Sequence, residues 1–328
     1  MTPLPPIDTD YMLSFLTGLL NTPSPTGFAH RAIDFTAEAL SAFPFLEISR
    51  TRKGALLVKW GGHRSDAPRA LTAHADTLGA MVKEIKPSGR LKLTKIGGYA
   101  WNTVEGEGCT VFTNAGGTVR GSLLLAKASS HVHGAQVSDT KREDDAMEVR
   151  LDAKTSSREE TLALGIQVGD FVAFDPRVEV TNGFVRSRHL DDKACVANIV
   201  AAVKALADAG LQPAQTTYFL ISNYEEVGHG AAAGIPPEVT ELLAVDMAAI
   251  GEGQMAQGLI YVIVFSLGLT TVLVAIGLAM VGAASFARDR LPGLALARWA
   301  RLASGVLVTT LGLYLVIEAI MYQNWVAL

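Results

Sequence analysis

Three features of the 328-residue sequence predict an α/β protein built in three parts. Amphipathic helical patterns alternate with short apolar strands over 1–86 and again over 179–254, the grain of a mixed sheet with helices on both faces. Residues 87–178 read instead as short strands punctuated by glycine, the grain of a small β-barrel inserted into the sheet domain. From Met255 to Phe286 there is no charged residue, a run longer than the roughly 20 residues that cross a bilayer. The expected organisation is therefore one α/β domain in two pieces, 1–86 and 179–254, an inserted barrel at 87–178, and a two-helix transmembrane-type hairpin at 255–328.

The elements follow in order. TDYMLSFLTGLL and AHRAIDFTAEALSAF, on either side of NTPSPTG, carry apolar residues at three- and four-residue spacing and predict a helix pair over 9–42. EISRTRKGALLVKW and RALTAHADTLGAMVKEI read as strands. In the barrel region KPSGRLKLTKIGG, CTVFTNAGGTVRGSLLLAK and IQVGDFVAFDP supply short strands, while the charged stretch DTKREDDAMEVRLDAKTSSREETLALG predicts an exposed excursion with one strand and one short helix. The α/β grain returns with GFVRSRHLDDK, the helix ACVANIVAAVKALADAG, the strand TTYFLIS, a loop at NYEEVGHGAAAG and the strand ELLAVDM. The charge-free run is followed by RDRLPGLALARWAR and a second span candidate, LASGVLVTTLGLYLVIEAIMY.

Charge divides the same way. Of 28 basic and 32 acidic residues, only four arginines, Asp289 and Glu318 follow Gln254. No basic stripe indicates a nucleic-acid partner. Two cysteines, Cys109 and Cys195, make no disulfide framework and fit a reducing, cytoplasmic setting. The opening MTPLPPIDTDYMLSFL lacks the basic and apolar regions of a secretion signal. The four arginines between the two spans put that linker in the cytoplasm by the positive-inside rule, and the N-terminal part outside. A cytoplasmic domain and a membrane-associated tail thus demand opposite topologies, as a junction of two unrelated coding segments near 250–257 would.

The residues with chemistry sit at expected strand ends. In LTAHADTLG, alternation puts His74 and Asp76 on one face, so the carboxylate can hold one ring N–H while the other nitrogen binds a metal. Asp191 lies in HLDDK, where adjacent aspartates at the mouth of a helix need a compensating charge. Glu225 and Glu226 follow the strand TTYFLIS, and Asp246 ends ELLAVD. Acids and an imidazole at successive strand ends fit a two-metal site in which one glutamate binds metal and its neighbour takes a proton. The donor set suits zinc, with cobalt or manganese as alternatives. HExxH, GxSxG and Walker motifs are absent, and GEGQMA lacks the acid that a dinucleotide site requires.

Together SPTG, AHAD, RHLDDK, EEVGHGA, AVDM and LGIQVGDFVAFDP resemble the cocatalytic metallo-aminopeptidases of the tetrahedral-aminopeptidase and glutamyl-aminopeptidase group, in the branch associated with the osmoprotectant N-acetylglutaminylglutamine amide. The resemblance spans 1–254. It implies a phosphorylase/hydrolase-like α/β fold, peptide substrates, two divalent metals and homo-oligomers built through the barrel. Residue by residue it implies that His74 and Asp246 hold one metal, Asp191 bridges, Glu226 binds the second metal, Glu225 is the general base and Asp76 orients His74. That family completes its second site with a later histidine, whereas the last histidine here is His229, so the resemblance implies an incomplete second site and impaired hydrolysis. The tail from about 257 is similar to the final helices of nickel/cobalt efflux permeases. A non-catalytic remnant, or a membrane transporter fragment fused to a peptidase-like domain, is the alternative reading.

Overall fold

The computed structural model describes residues 4–231 and 233–247. Helices α1 (Thr9–Leu20) and α2 (His30–Ser41) form the predicted pair, and Asp8 caps α1 by accepting the Tyr11 N–H. Strands β1 (Leu46–Arg50) and β2 (Leu56–Trp60) make an antiparallel hairpin. After β3 (Arg64–His74) the chain enters the barrel with β4 (Gly79–Ile85), β5 (Leu91–Ile96), β6 (Gly108–Phe112) and β7 (Thr118–Leu125). Short helices α3 (Ser130–His133) and α4 (Gln136–Asp139) follow, then β8 (Met147–Leu151), α5 (Arg158–Ala163) and β9 (Phe171–Phe174). The chain leaves through the small hairpin β10 (Glu179–Thr181) and β11 (Phe184–Arg186) into α6 (Leu190–Asp208), β12 (Gln215–Ser222) and β13 (Glu241–Ala244).

The sheet order is β1-β2-β12-β3-β13. The β1–β2 and β2–β12 pairs are antiparallel, and β3 is parallel to both β12 and β13. The sheet is mixed because a tight hairpin can join only antiparallel strands, whereas β3, β12 and β13 are separated by the barrel, α6 or a long loop. Leu56, Val58, Phe219, Ile221 and Ala73 point from the sheet into one core with Leu16 and Leu19 of α1, Ile33 of α2 and Val196 and Val200 of α6. Among the described residues all three long helices join that one core. The expected helices on the second face are not found there.

The barrel closes in the order β4-β5-β8-β7-β6-β9, around a core that includes Val82, Leu93, Val111, Leu123, Val149 and Val172. Two sequence expectations are corrected here. The barrel begins at Gly79 rather than at residue 87, since β4 pairs with β5 and β9. The charged stretch at 139–165 has the expected strand and short helix, β8 and α5, but β8 is no part of an excursion: it completes the barrel between β5 and β7, with Met147 and Val149 buried. Its many charges mask a clean alternation of inward residues, which is why the local composition misleads. Phe28, after α1, stacks with barrel residues Phe112 and Phe171 at centroid distances of 4.8 and 5.6 Å and so ties the barrel to the N-terminal loop.

Among the described residues no helix is long and apolar enough to cross a membrane. The expected hairpin at 255–328 lies outside the described residues.

Candidate metal centre

The parallel register decides where the chemistry gathers. His74 pairs with Ser222, and Thr72 with Ala244, so β3, β12 and β13 end on the same edge of the sheet. In open α/β sheets this carboxyl edge is where sites form. His74 is the last residue of β3, the acid pair follows β12, and Asp246 follows β13.

Around the buried His74 imidazole, Nε2 lies 3.1 Å from Asp191 Oδ1, 3.5 Å from Glu225 Oε2 and 3.9 Å from Asp246 Oδ2. Ligand atoms of His74, Glu225 and Asp246 lie within 4.8 Å of one another, as do those of Asp191, Asp192 and Asp246. Burial pulls the His74 pKa down, but hydrogen bonds to Asp191 and Asp76 and the charge of the nearby acids outweigh it and raise it to about 11. The direction of that shift records a surplus of negative charge around the imidazole, which a bound divalent ion would relieve.

Asp191 and Asp192 open α6 with non-helical backbone, joined by a cis peptide, before the regular helix starts. Asp192 is buried; its Oδ2 accepts the His74 N–H at 3.1 Å, and its Oδ1 has no hydrogen-bond partner among the described residues. Burial pushes its carboxyl up to about 7. Lys193, fully buried, donates to the carbonyls of Leu19 (3.0 Å) and Thr22 (2.7 Å) and so moors the start of α6 to the end of α1.

The acid pair sits in a 3-10 turn, Glu225–Val227, entered through the left-handed Tyr224 (φ 68°). Gly230 closes against it: a Cβ there would lie 2.9 Å from Glu225 Cβ. Burial raises the carboxyls of both acids, that of Glu226 to about 7. Glu226 Oε1 accepts the Leu78 N–H at 3.2 Å, so this acid faces the start of β4 and joins neither ligand group.

Asp76 is fully buried. The shorter His74 Nδ1 contact is to the main-chain oxygen of Asp76, at 3.0 Å, with the carboxylate at 3.5 Å. The carboxylate also accepts Thr26 Oγ1–H at 2.7 Å and the N–H groups of Glu225 (3.2 Å) and Glu226 (3.4 Å). All six residues singled out from sequence therefore lie in one neighbourhood, and two were missed. Asp192 was visible as the second acid of HLDDK. Thr26 had only the SPTG motif to recommend it. His189, two residues before Asp191, is turned away from the site: its Nε2–H donates to the Phe174 carbonyl of the barrel at 3.3 Å, and burial holds its pKa down at about 3.

The donor chemistry fits a divalent cation. An imidazole and several carboxylates converge, and among the described residues those acids pair with His74 rather than with lysine or arginine.

The chain matches a family model described as M42 glutamyl aminopeptidase over residues 54–273. The match takes in the first part of the charge-free run that the sequence reading sets apart. YhfE of Bacillus subtilis (strain 168) is 45% identical over 243 residues, covering 74% of this chain and 70% of that protein. Among solved structures, the aminopeptidase APDkam598 from the archaeon Desulfurococcus kamchatkensis aligns with a TM-score of 0.62 at 26% identity, over 72% of this chain and 62% of its own. The Pyrococcus horikoshii TET1 peptidase, which can assemble into a tetrahedron or a large octahedral shell, aligns with a TM-score of 0.57 at 26% identity, over 66% and 62%. The chain thus spans about two thirds of the length of its relatives.

Proposed function

Because the chain belongs to the M42 glutamyl aminopeptidase family, whose members are dinuclear metal enzymes, we propose that it is a metal-dependent aminopeptidase acting on peptide amide bonds at the carboxyl edge of its sheet. The observation that carries the reading is the ring of Asp191, Glu225 and Asp246 around His74 Nε2. In this reading His74 and Asp246 would hold one divalent ion, Glu226 would hold a second, and Asp191 would serve both. Zinc suits the donors, with cobalt or manganese as alternatives. The ions would supply Lewis-acid polarisation of the scissile carbonyl and lower the pKa of water.

The chain's own groups do the rest. Glu225, half exposed and 3.5 Å from His74 Nε2, accepts the proton of the attacking water. It returns that proton to the departing amine, so the carboxylate ends the cycle as it began. Its burial-raised pKa favours both halves of that transfer. Asp191 lies on the non-helical lead-in to α6, which carries its carboxylate to 3.1 Å from His74 Nε2. His74 and Asp192 are locked to each other by the main-chain bond, which keeps β3 and the mouth of α6 in register. Homo-oligomers through the barrel belong to the same proposal, supported by the shells that the TET1 relative forms.

The test is hydrolysis of aminoacyl chromogenic substrates by the purified full chain, with metal content measured alongside. We expect activity that a chelator removes and zinc or cobalt restores. We expect Glu225→Gln to retain the metal while losing about 10²–10⁴-fold in kcat, and His74→Ala to lose the metal. Hydrolysis that ignores the chelator, or a Glu225→Gln enzyme as fast as the parent, would overturn the reading.

A further inference from the structure

The SPTG motif at 24–27 has a physical task that the family reading leaves unassigned. Segment 24–26 runs alongside 75–77: Pro25 and Thr77 form an isolated parallel bridge, Thr26 N–H donates to Thr77 O (3.2 Å), Thr77 N–H to Ser24 O (2.9 Å) and Ser24 Oγ–H to Ala75 O (2.8 Å). This ladder presents the buried Thr26 hydroxyl to Asp76 Oδ2 at 2.7 Å, the shortest bond that carboxylate receives. The other two well-directed donors to Asp76 are the amides of Glu225 and Glu226, at 3.2 and 3.4 Å.

From this geometry we propose that Thr26 is a positioning residue that sets the Glu225–Glu226 pair through the carboxylate of Asp76. A carboxylate rotates easily about its last bond, and hydrogen bonds as long as 3.2–3.4 Å orient it weakly. A charge-assisted O–H···O⁻ bond is short and strong. Thr26 fixes the plane of the carboxylate, and the fixed plane holds the two amides that aim the acids. The imidazole is the longer and less direct contact, its Nδ1 lying 3.5 Å from the carboxylate and 3.0 Å from the main-chain oxygen of Asp76. The path from Thr26 to the acid pair takes two hydrogen bonds, the first spanning 50 residues of sequence to Asp76 and the second 149 or 150 more to Glu225 or Glu226. The inference rests on the proposed role of that pair.

Two substitutions separate the hydroxyl from the shape. Thr26→Val keeps the volume and removes the donor, and Thr26→Ser keeps the donor. Hydrogen exchange on the full, metal-free chain reads the effect directly. We expect Thr26→Val to raise exchange at the Glu225 and Glu226 amides about tenfold, as loss of roughly one hydrogen bond would, with β3 and β12 unchanged and Thr26→Ser like the parent. Titration with cobalt should show about 10-fold or greater weakening in Thr26→Val, the scale of a lost supporting contact. In turnover, Thr26→Val should lower kcat with little change in KM, and Thr26→Ser should restore it. Unchanged exchange at Glu225 and Glu226, or exchange that rises equally throughout β3 and β12, overturns the proposal. If the exchange result appears but Glu225→Gln leaves turnover intact, the coupling stands and the functional reading of the acid pair falls.

Discussion

Glu148 should govern the acid resistance of the barrel. It lies on β8 between Met147 and Val149, whose side chains enter the barrel core, and is itself only 4% exposed. Lys86 Nζ is 2.8 Å from one of its oxygens, and Arg90 contacts the other. Burial pushes the Glu148 carboxyl up, but the hydrogen bonds from Lys86 and Arg90 outweigh it and hold the pKa below the ordinary glutamate value. A depressed folded-state pKa means stabilisation that is complete above the unfolded value, near ~4.3, and is lost as pH falls through the folded one. Each charge-assisted bond is worth about 1.5–3 kcal/mol. Lys86 and Arg90 are 23% and 40% exposed and regain water when released, so we expect Glu148→Gln to cost about 1–3 kcal/mol at neutral pH. Denaturant unfolding, followed through exchange of the β5 and β8 amides, measures this at pH 7 and again near pH 3. The gap between parent and variant should be present at pH 7 and shrink at the lower pH as the parent protonates. A variant as stable as the parent at pH 7, or a gap that persists undiminished in acid, would refute the reasoning.

Three further outcomes are expected. Phe28→Ala removes two aromatic pairs that join the N-terminal loop to the barrel; at roughly 0.5–1.5 kcal/mol per pair beyond buried area, calorimetry should show a loss of about 1–3 kcal/mol. Gly27→Ala should also destabilise by more than about 1 kcal/mol, since Gly27 has φ +92° and its added Cβ would lie 2.9 Å from the Phe171 ring; a thermal midpoint equal to the parent's would contradict this. The Cys109 and Cys195 thiols are buried and free, with burial raising both pKa values, that of Cys109 to about 12, so neither should react with an alkylating reagent at pH 8 until the chain is unfolded, as mass spectrometry of the native protein will report.

The sequence by itself determined the features that depend on neighbours a few residues apart. Helix periodicity located α1, α2 and the regular part of α6. The alternation in LTAHAD put His74 and Asp76 side by side, and apolar strands followed by acids marked Glu225, Glu226 and Asp246 as residues at strand ends. Such patterns survive in one dimension because the side-chain period of a helix or strand is itself local. Only the tertiary structure decided what depends on register between distant segments. It brought the ends of β3, β12 and β13 to one edge, drew β4 and the charged β8 into the barrel, and turned His189 toward Phe174. It also separated two neighbours that sequence treats alike, giving Glu225 to His74 and Glu226 to the Leu78 amide, and it filled the coordination of Asp76 with a hydroxyl 50 residues upstream and two amides about 150 residues downstream. Hydrogen bonds of that kind are chosen by which groups packing leaves buried together, and a buried acceptor takes whichever donors the fold delivers within about 3 Å.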